Sequence, residues 1–270
     1  MAFDKLYADL VAPDGSAYVV YLATFDFLGH RLRFAELEAF PADGPRRVYT
    51  ARPSAAHTTT LANAEALDVE LATSVGRFRF QSRALNGAFV PRDQPRSGLE
   101  WSVCMGRSEA RLTLPPALGG GAVAGIGYVD HLHVARPTPR SGLRTLDWGR
   151  AHLSTSSIVW TRLRFSDGQA WAQFARWDLP GGPARPGVLT PSEELAVAQI
   201  EAAGGSAEAQ RLLHEGSPLD RCRVPAAPLR WLLQAAAGPA HQRRWLTRIV
   251  EPRLATNGWG IHEFVSFDRG

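Results

Sequence analysis

Along the first 175 residues, apolar and polar positions alternate in short runs broken by Gly, Pro, Asp and Ser. Residues 75–83 show the pattern most plainly. Phe78 and Phe80 fall on one side, and Arg77, Arg79, Gln81 and Arg83 on the other. That two-residue period belongs to a strand with one wet face. Comparable runs at 17–24, 31–40, 46–51, 99–105, 110–114, 122–134, 156–165 and 169–178 predict further strands. With no helical pattern between them, they favour antiparallel sandwiches or barrels.

After a turn-rich break at 181–191 the texture changes. Segments 192–203 and 207–215 are rich in Ala, Glu and Leu, and Pro191-Ser192-Glu193-Glu194 reads as a helix start. A third short helix is expected at 229–237, with strands again at 245–250 and 260–267. The expected fold is mainly β. It has two antiparallel β domains, residues 1–95 and 96–270, and a helical insertion at 192–240. The division follows the cluster of Pro91, Pro95 and Gly98. In the insertion, Leu212, Leu213, Leu229 and Trp231 suit core packing, a lid, or contact with a membrane surface.

Composition narrows the function classes. The chain is 45% hydrophobic and 21% charged, which excludes wholesale disorder. Its net charge is only +4, and Lys5 is the sole lysine beside many arginines. Such a small excess does not predict a nucleic-acid groove, and no nucleic-acid partner is expected. Cys104 and Cys222 stand far apart, so no disulfide framework or structural zinc site is expected. Residues 1–10 lack the apolar core of a signal peptide, and the apolar run 17–28 is too short to span a bilayer. A cytoplasmic protein is expected, with at most a peripheral membrane contact and no cofactor.

Two polar and aromatic clusters stand out, residues 125–133 and 146–152. On a strand, Tyr128 and Asp130 share a side with Ile126 and Leu132, while His131 and His133 point the other way. A carboxyl among apolar neighbours is costly to leave charged, and burial raises its pKa. A neutral Asp130 is then a proton donor that Tyr128 can orient. The plainer alternatives are a turn cap or an ion pair with Arg150. On the opposite side, His131 and His133, with His152 as a third ligand, offer a metal site as the lesser alternative. In the last strand, Glu263 shares a face with Ile261, Val265 and Phe267, either paired with an inward arginine such as Arg162 or as a second acid or base.

The motif Gly125-x-Gly127-Tyr128-x-Asp130-His131, followed by Trp148-Gly149-Arg150, resembles the lipocalin-like (calycin) superfamily of carotenoid 1,2-hydratases (hydroxyneurosporene synthases), AttH-like proteins and related Diels–Alderases. Tyr7 and the Asp14-Gly15 turn fit the opening strand of that group. The resemblance implies two lipocalin-like domains and a cavity for a hydrophobic ligand. It implies that Tyr128 and Asp130 are the catalytic pair. Trp101 matches the tryptophan of the family's His-x-Trp, with Leu99 at the histidine position. The implied reaction is acid-assisted hydration of a C=C bond in a polyene, terpenoid or polyketide. Trp101, Trp148 and Trp160 would face the developing cation, with Arg150, His152, Arg162 and Glu263 on the ligand. Two alternatives stand beside it. One is a cyclase or Diels–Alderase in which Tyr128, His152 or Arg150 polarises a carbonyl. The other is a non-catalytic carrier or sensor of a hydrophobic ligand.

Overall fold

The computed structural model describes residues 2–27, 30–51, 65–91, 93, 98–135, 142–179, 181–187, 194, 197, 210–217, 240–251 and 256–267. They form two compact units. The first is residues 1–135 with 180–184, and the second is residues 136–179 with 185–270. Each carries one antiparallel sheet, so the fold is mainly β as the alternation predicts.

The first sheet contains β1 (Ala2–Val11), β2 (Ala17–Phe27), β3 (His30–Phe40), β4 (Arg47–Ala51), β5 (Ala66–Thr73), β6 (Gly76–Ala84), β7 (Leu99–Thr113) and β8 (Ala122–Val134). Their order is β4-β3-β2-β1-β8-β7-β6-β5. The edge strands β4 and β5 lie against each other, so the sheet curls nearly into a barrel. Its apolar core takes Leu6, Ala8 and Leu10 from β1, Phe78 and Phe80 from β6, and Val129 from β8. The arginines that alternate with those phenylalanines face water, where Arg77 pairs with Glu70 and Arg79 with Asp68.

The second sheet contains β9 (Leu143–Leu153), β10 (Ser156–Phe165), β11 (Ala170–Asp178), β12 (Arg185–Pro186), β13 (Gln210–Gly216), β14 (His241–Glu251) and β15 (Thr256–Ser266). The order is β12-β11-β10-β9-β15-β14-β13. Both sheets follow one plan. Strands run outward from the first as a meander, and the last strand returns to pair beside the first. Ala151, Leu153, Ile158, Trp160, Val197 and Ile249 form the apolar cluster of the second unit.

Two expectations change. The division expected at residue 95 lies after Ala135 instead. The reason is pairing: β7 and β8 bond to β6 and β1, so residues 99–134 complete the first sheet. The helix expected at 207–215 is largely β13. It pairs with β14 through a register slip between Leu212 and His214. That bulge breaks the alternation that would mark a strand. Leu212 points to solvent and Leu213 is buried. Glu194 and Val197 are helical, and the rest of the expected insertion, with Leu229 and Trp231, lies outside the described residues. Among the described residues, no helix is long and apolar enough to cross a membrane.

Candidate active site

Asp130 sits mid-strand in β8 and not at a turn, and it is 4% exposed. Its carboxyl is fixed by two donors. The Trp101 indole Nε1 donates to Oδ2 at 3.2 Å, and the Tyr128 hydroxyl donates to the same oxygen at 3.1 Å. Tyr128 reaches it because residues two apart share a strand face. Trp101 reaches it from β7, where Val103 stands opposite Asp130 and Trp101 opposite Leu132. Phe89 packs edge-on against Trp101 at 6.2 Å. Opposite this stretch of β8, β7 slips register twice, between Val103 and Met105 and between Met105 and Ser108. Such bulges bend a strand and re-aim its side chains.

The two glycines of the motif serve the backbone. A Cβ on Gly125 would stand 2.2 Å from the Val11 carbonyl oxygen, and one on Gly127 2.5 Å from that of Asp9. Only glycine lets β1 approach β8 this closely. The approach places Tyr7 opposite Asp130 and Asp9 opposite Tyr128. The Tyr7 hydroxyl donates to Asp9 Oδ2 at 2.9 Å, and the Tyr7 and Tyr128 rings lie 6.1 Å apart. None of these four side chains belongs to the apolar cluster of the unit; they occupy the other face of the sheet and are buried there. Neighbouring Cys104 is held as a thiol, since burial above all pushes it up to about 12.

His131 and His133 face the opposite way, toward Asp4, at 3.5 and 2.9 Å. His152 belongs to the second unit, where its Nδ1 lies 3.0 Å from Ser157 Oγ. Among the described residues, no three His, Cys, Asp or Glu side chains gather as metal ligands.

The remaining expected site residues belong to the second unit. Trp148, Arg150 and His152 are buried on one face of β9. Glu263 is paired, but with Arg244 and not with Arg162. The register sets Arg244 directly opposite Glu263, and its Nε donates to Oε2 at 2.9 Å. Arg162 points to the other face, 3.6 Å from Asp147 and over the Phe174 ring. Trp160 is fully buried in the apolar cluster, lying over Gly149, where a Cβ would meet its ring at 2.0 Å.

The Asp147–His262 contact went unanticipated by the sequence reading. Nε2 of His262 lies 3.0 Å from Asp147 Oδ1, and Trp245 stacks on the imidazole at 5.3 Å. Burial pushes the Asp147 carboxyl up, but the His262 hydrogen bond and charge, with Arg162, outweigh it and hold it below its ordinary 3.8. A depressed folded-state value means that ionised Asp147 stabilises the fold above pH 3.8, and that this is lost as pH falls below it. Asp147→Asn should therefore melt below wild type at neutral pH, with the gap closing under acid. Melting temperature against pH checks this.

No family model matches the chain, and no curated protein matches it in sequence. Solved structures do match. CghA with Sch210972 aligns over 100% of this chain and 89% of its own, at 13% identity and TM-score 0.57. An AttH-like protein from Nitrosomonas europaea aligns over 99% and 92%, at 12% identity and TM-score 0.50. This chain has their lipocalin-like fold. Kievitone hydratase from Nectria haematococca shares it, over 98% and 88% of the two chains, at 12% identity and TM-score 0.50. At these identities the likeness establishes the fold and leaves the chemistry to the side chains.

Proposed function

We propose that this lipocalin-like protein is an enzyme that hydrates a C=C bond of a hydrophobic polyene or terpenoid, with Asp130 as the general acid. The observation that carries this reading is the buried Asp130 carboxyl with two donors on one oxygen. In the neutral acid, Oδ2 serves both donors as the carbonyl oxygen, and the proton resides on Oδ1. Protonating an isolated trisubstituted alkene creates a tertiary cation, so the acid must be protonated, fixed and shielded from bulk water. The Trp101 ring beside the carboxyl supplies an aromatic face to a positive centre, worth about 0.5–2 kcal/mol. A hydratase among proteins of this fold agrees with the reading.

The test uses lycopene, a linear polyene with a trisubstituted alkene at each end. It is incubated in detergent micelles with the protein in ¹⁸O-labelled water and followed by mass spectrometry. Gain of a labelled hydroxyl supports hydration. Unchanged lycopene rejects hydration of this substrate class. An isomer without added oxygen replaces the hydratase with a cyclase.

A further inference from the structure

The Tyr-x-Asp motif occurs twice on this buried face, as Tyr7-Ala8-Asp9 on β1 and Tyr128-Val129-Asp130 on β8. The strands are antiparallel, so each tyrosine stands opposite the other strand's aspartate. Each phenol donates to the aspartate of its own strand, at 2.9 Å to Asp9 and 3.1 Å to Asp130. Asp9 is completely buried. Asp9, Asp130, Glu36 and Glu38 are all buried on this face, and a core built only for packing has no use for carboxyls there, because each carries a desolvation cost.

From this arrangement we propose that Asp9 is the second catalytic carboxylate, the base that activates the water which Asp130's proton transfer calls for. The proposal rests on the hydration reading above. Asp9 and Asp130 are diagonal neighbours on the strand pair, a placement that separates side chains by about 7–8 Å. A separation of about 6.5–9.5 Å is what lets a water fit between an acid and a base carboxyl in inverting glycosidases. Around them on this sheet face stand Lys5, whose ammonium lies 5.8 Å from the Tyr7 ring centre, Tyr21, Glu36, and Glu38 paired with Arg46.

The O–H bond of neutral Asp130 breaks and its proton joins one alkene carbon, using the π pair. Water attacks the resulting tertiary cation as the Asp9 carboxylate takes one of its protons. The product is the tertiary alcohol. Asp9 is left neutral and Asp130 ionised, and proton exchange with water resets both for the next turnover. No oxidant or further reactant is needed.

The acid and base roles separate in the lycopene assay when it is run in D₂O containing ¹⁸O label. Without its base, the enzyme still protonates the alkene, and the cation reverts by losing a proton to Asp130. Asp9→Asn should therefore lose labelled hydroxyl about 100-fold or more, while deuterium continues to enter the end group. Asp9→Glu should recover part of the hydration. Circular dichroism checks folding, and Asp9→Ser replaces the asparagine variant if that one fails to fold. Hydration by Asp9→Asn within about threefold of wild type, against the 100-fold and larger losses that removing a general base brings, overturns the proposal and leaves the hydratase reading intact. Loss of deuterium entry together with hydration in a folded variant also overturns it, since Asp9 then serves the acid and not the water. Wild-type protein that neither exchanges nor hydrates removes the hydratase reading itself.

Discussion

Asp130→Asn should abolish hydration while leaving ligand binding nearly unchanged. Asparagine has the shape of the neutral acid, and its carbonyl oxygen can accept from both Trp101 Nε1 and the Tyr128 hydroxyl as Oδ2 does. The packing around the carboxyl is then preserved and only the transferable proton is gone. General acids contribute about 100- to 10,000-fold, and the loss should fall in that range. Deuterium entry into the lycopene end group should disappear with the hydroxyl, which separates this variant from Asp9→Asn. Binding is read from the shift of the polyene absorbance on titration. Tyr128→Phe should cost far less, because Trp101 still holds Oδ2. An Asp130→Asn enzyme that turns over within a few-fold of wild type would reject the acid role.

The strands were legible wherever one face is wet. Arg77, Arg79 and Arg83 against Phe78 and Phe80 give a period that needs no tertiary knowledge, and β6 follows it. Segments 99–105 and 110–114 read as two strands, yet they are the single strand β7. The irregular register near Met105 hides their continuity, and the same irregularity lies opposite Asp130. At β13 the sequence Gln210-Arg211-Leu212-Leu213-His214-Glu215 is made largely of good helix formers, and pairing with β14 overrides that weak local preference. The division between units was illegible for a related reason. Nothing local to residue 95 or 135 records that β8 returns to pair with β1, far back in the chain.

The candidate site divides along the same line. Tyr128 and Asp130 lie two apart on one strand, so their shared face follows from spacing alone. Trp101 was reached through the family motif, and the structure sets its indole N–H on Asp130. Asp9 required the β1–β8 register, and Tyr7 alone drew notice. The Asp147–His262 pair likewise required knowing that β15 closes on β9. Local pattern therefore recovered placements within one strand and missed partners across strands.

Glu263 shows what a cross-strand partner is worth. Arg244 is fully buried opposite it and donates through Nε and Nη2 to the same carboxylate oxygen. Removing one member of such a pair strands a charge in a dry site, typically at about 3–5 kcal/mol. Arg244→Met should therefore destabilise the protein by about that amount in urea unfolding. Converting the pair together, Arg244→Met with Glu263→Leu, removes both charges and both desolvation costs. Apolar replacement of buried pairs is often neutral or stabilising by about 1–4 kcal/mol. The double variant should thus be more stable than Arg244→Met alone, and the cycle should show strong coupling. Single variants that each cost under about 1 kcal/mol, the range of exposed pairs, would mean that water reaches this pair. If instead the double variant keeps its stability and its lycopene hydration, the pair serves neither stability nor the chemistry at Asp130. Selective loss of hydration in a stable double variant would assign the pair to function.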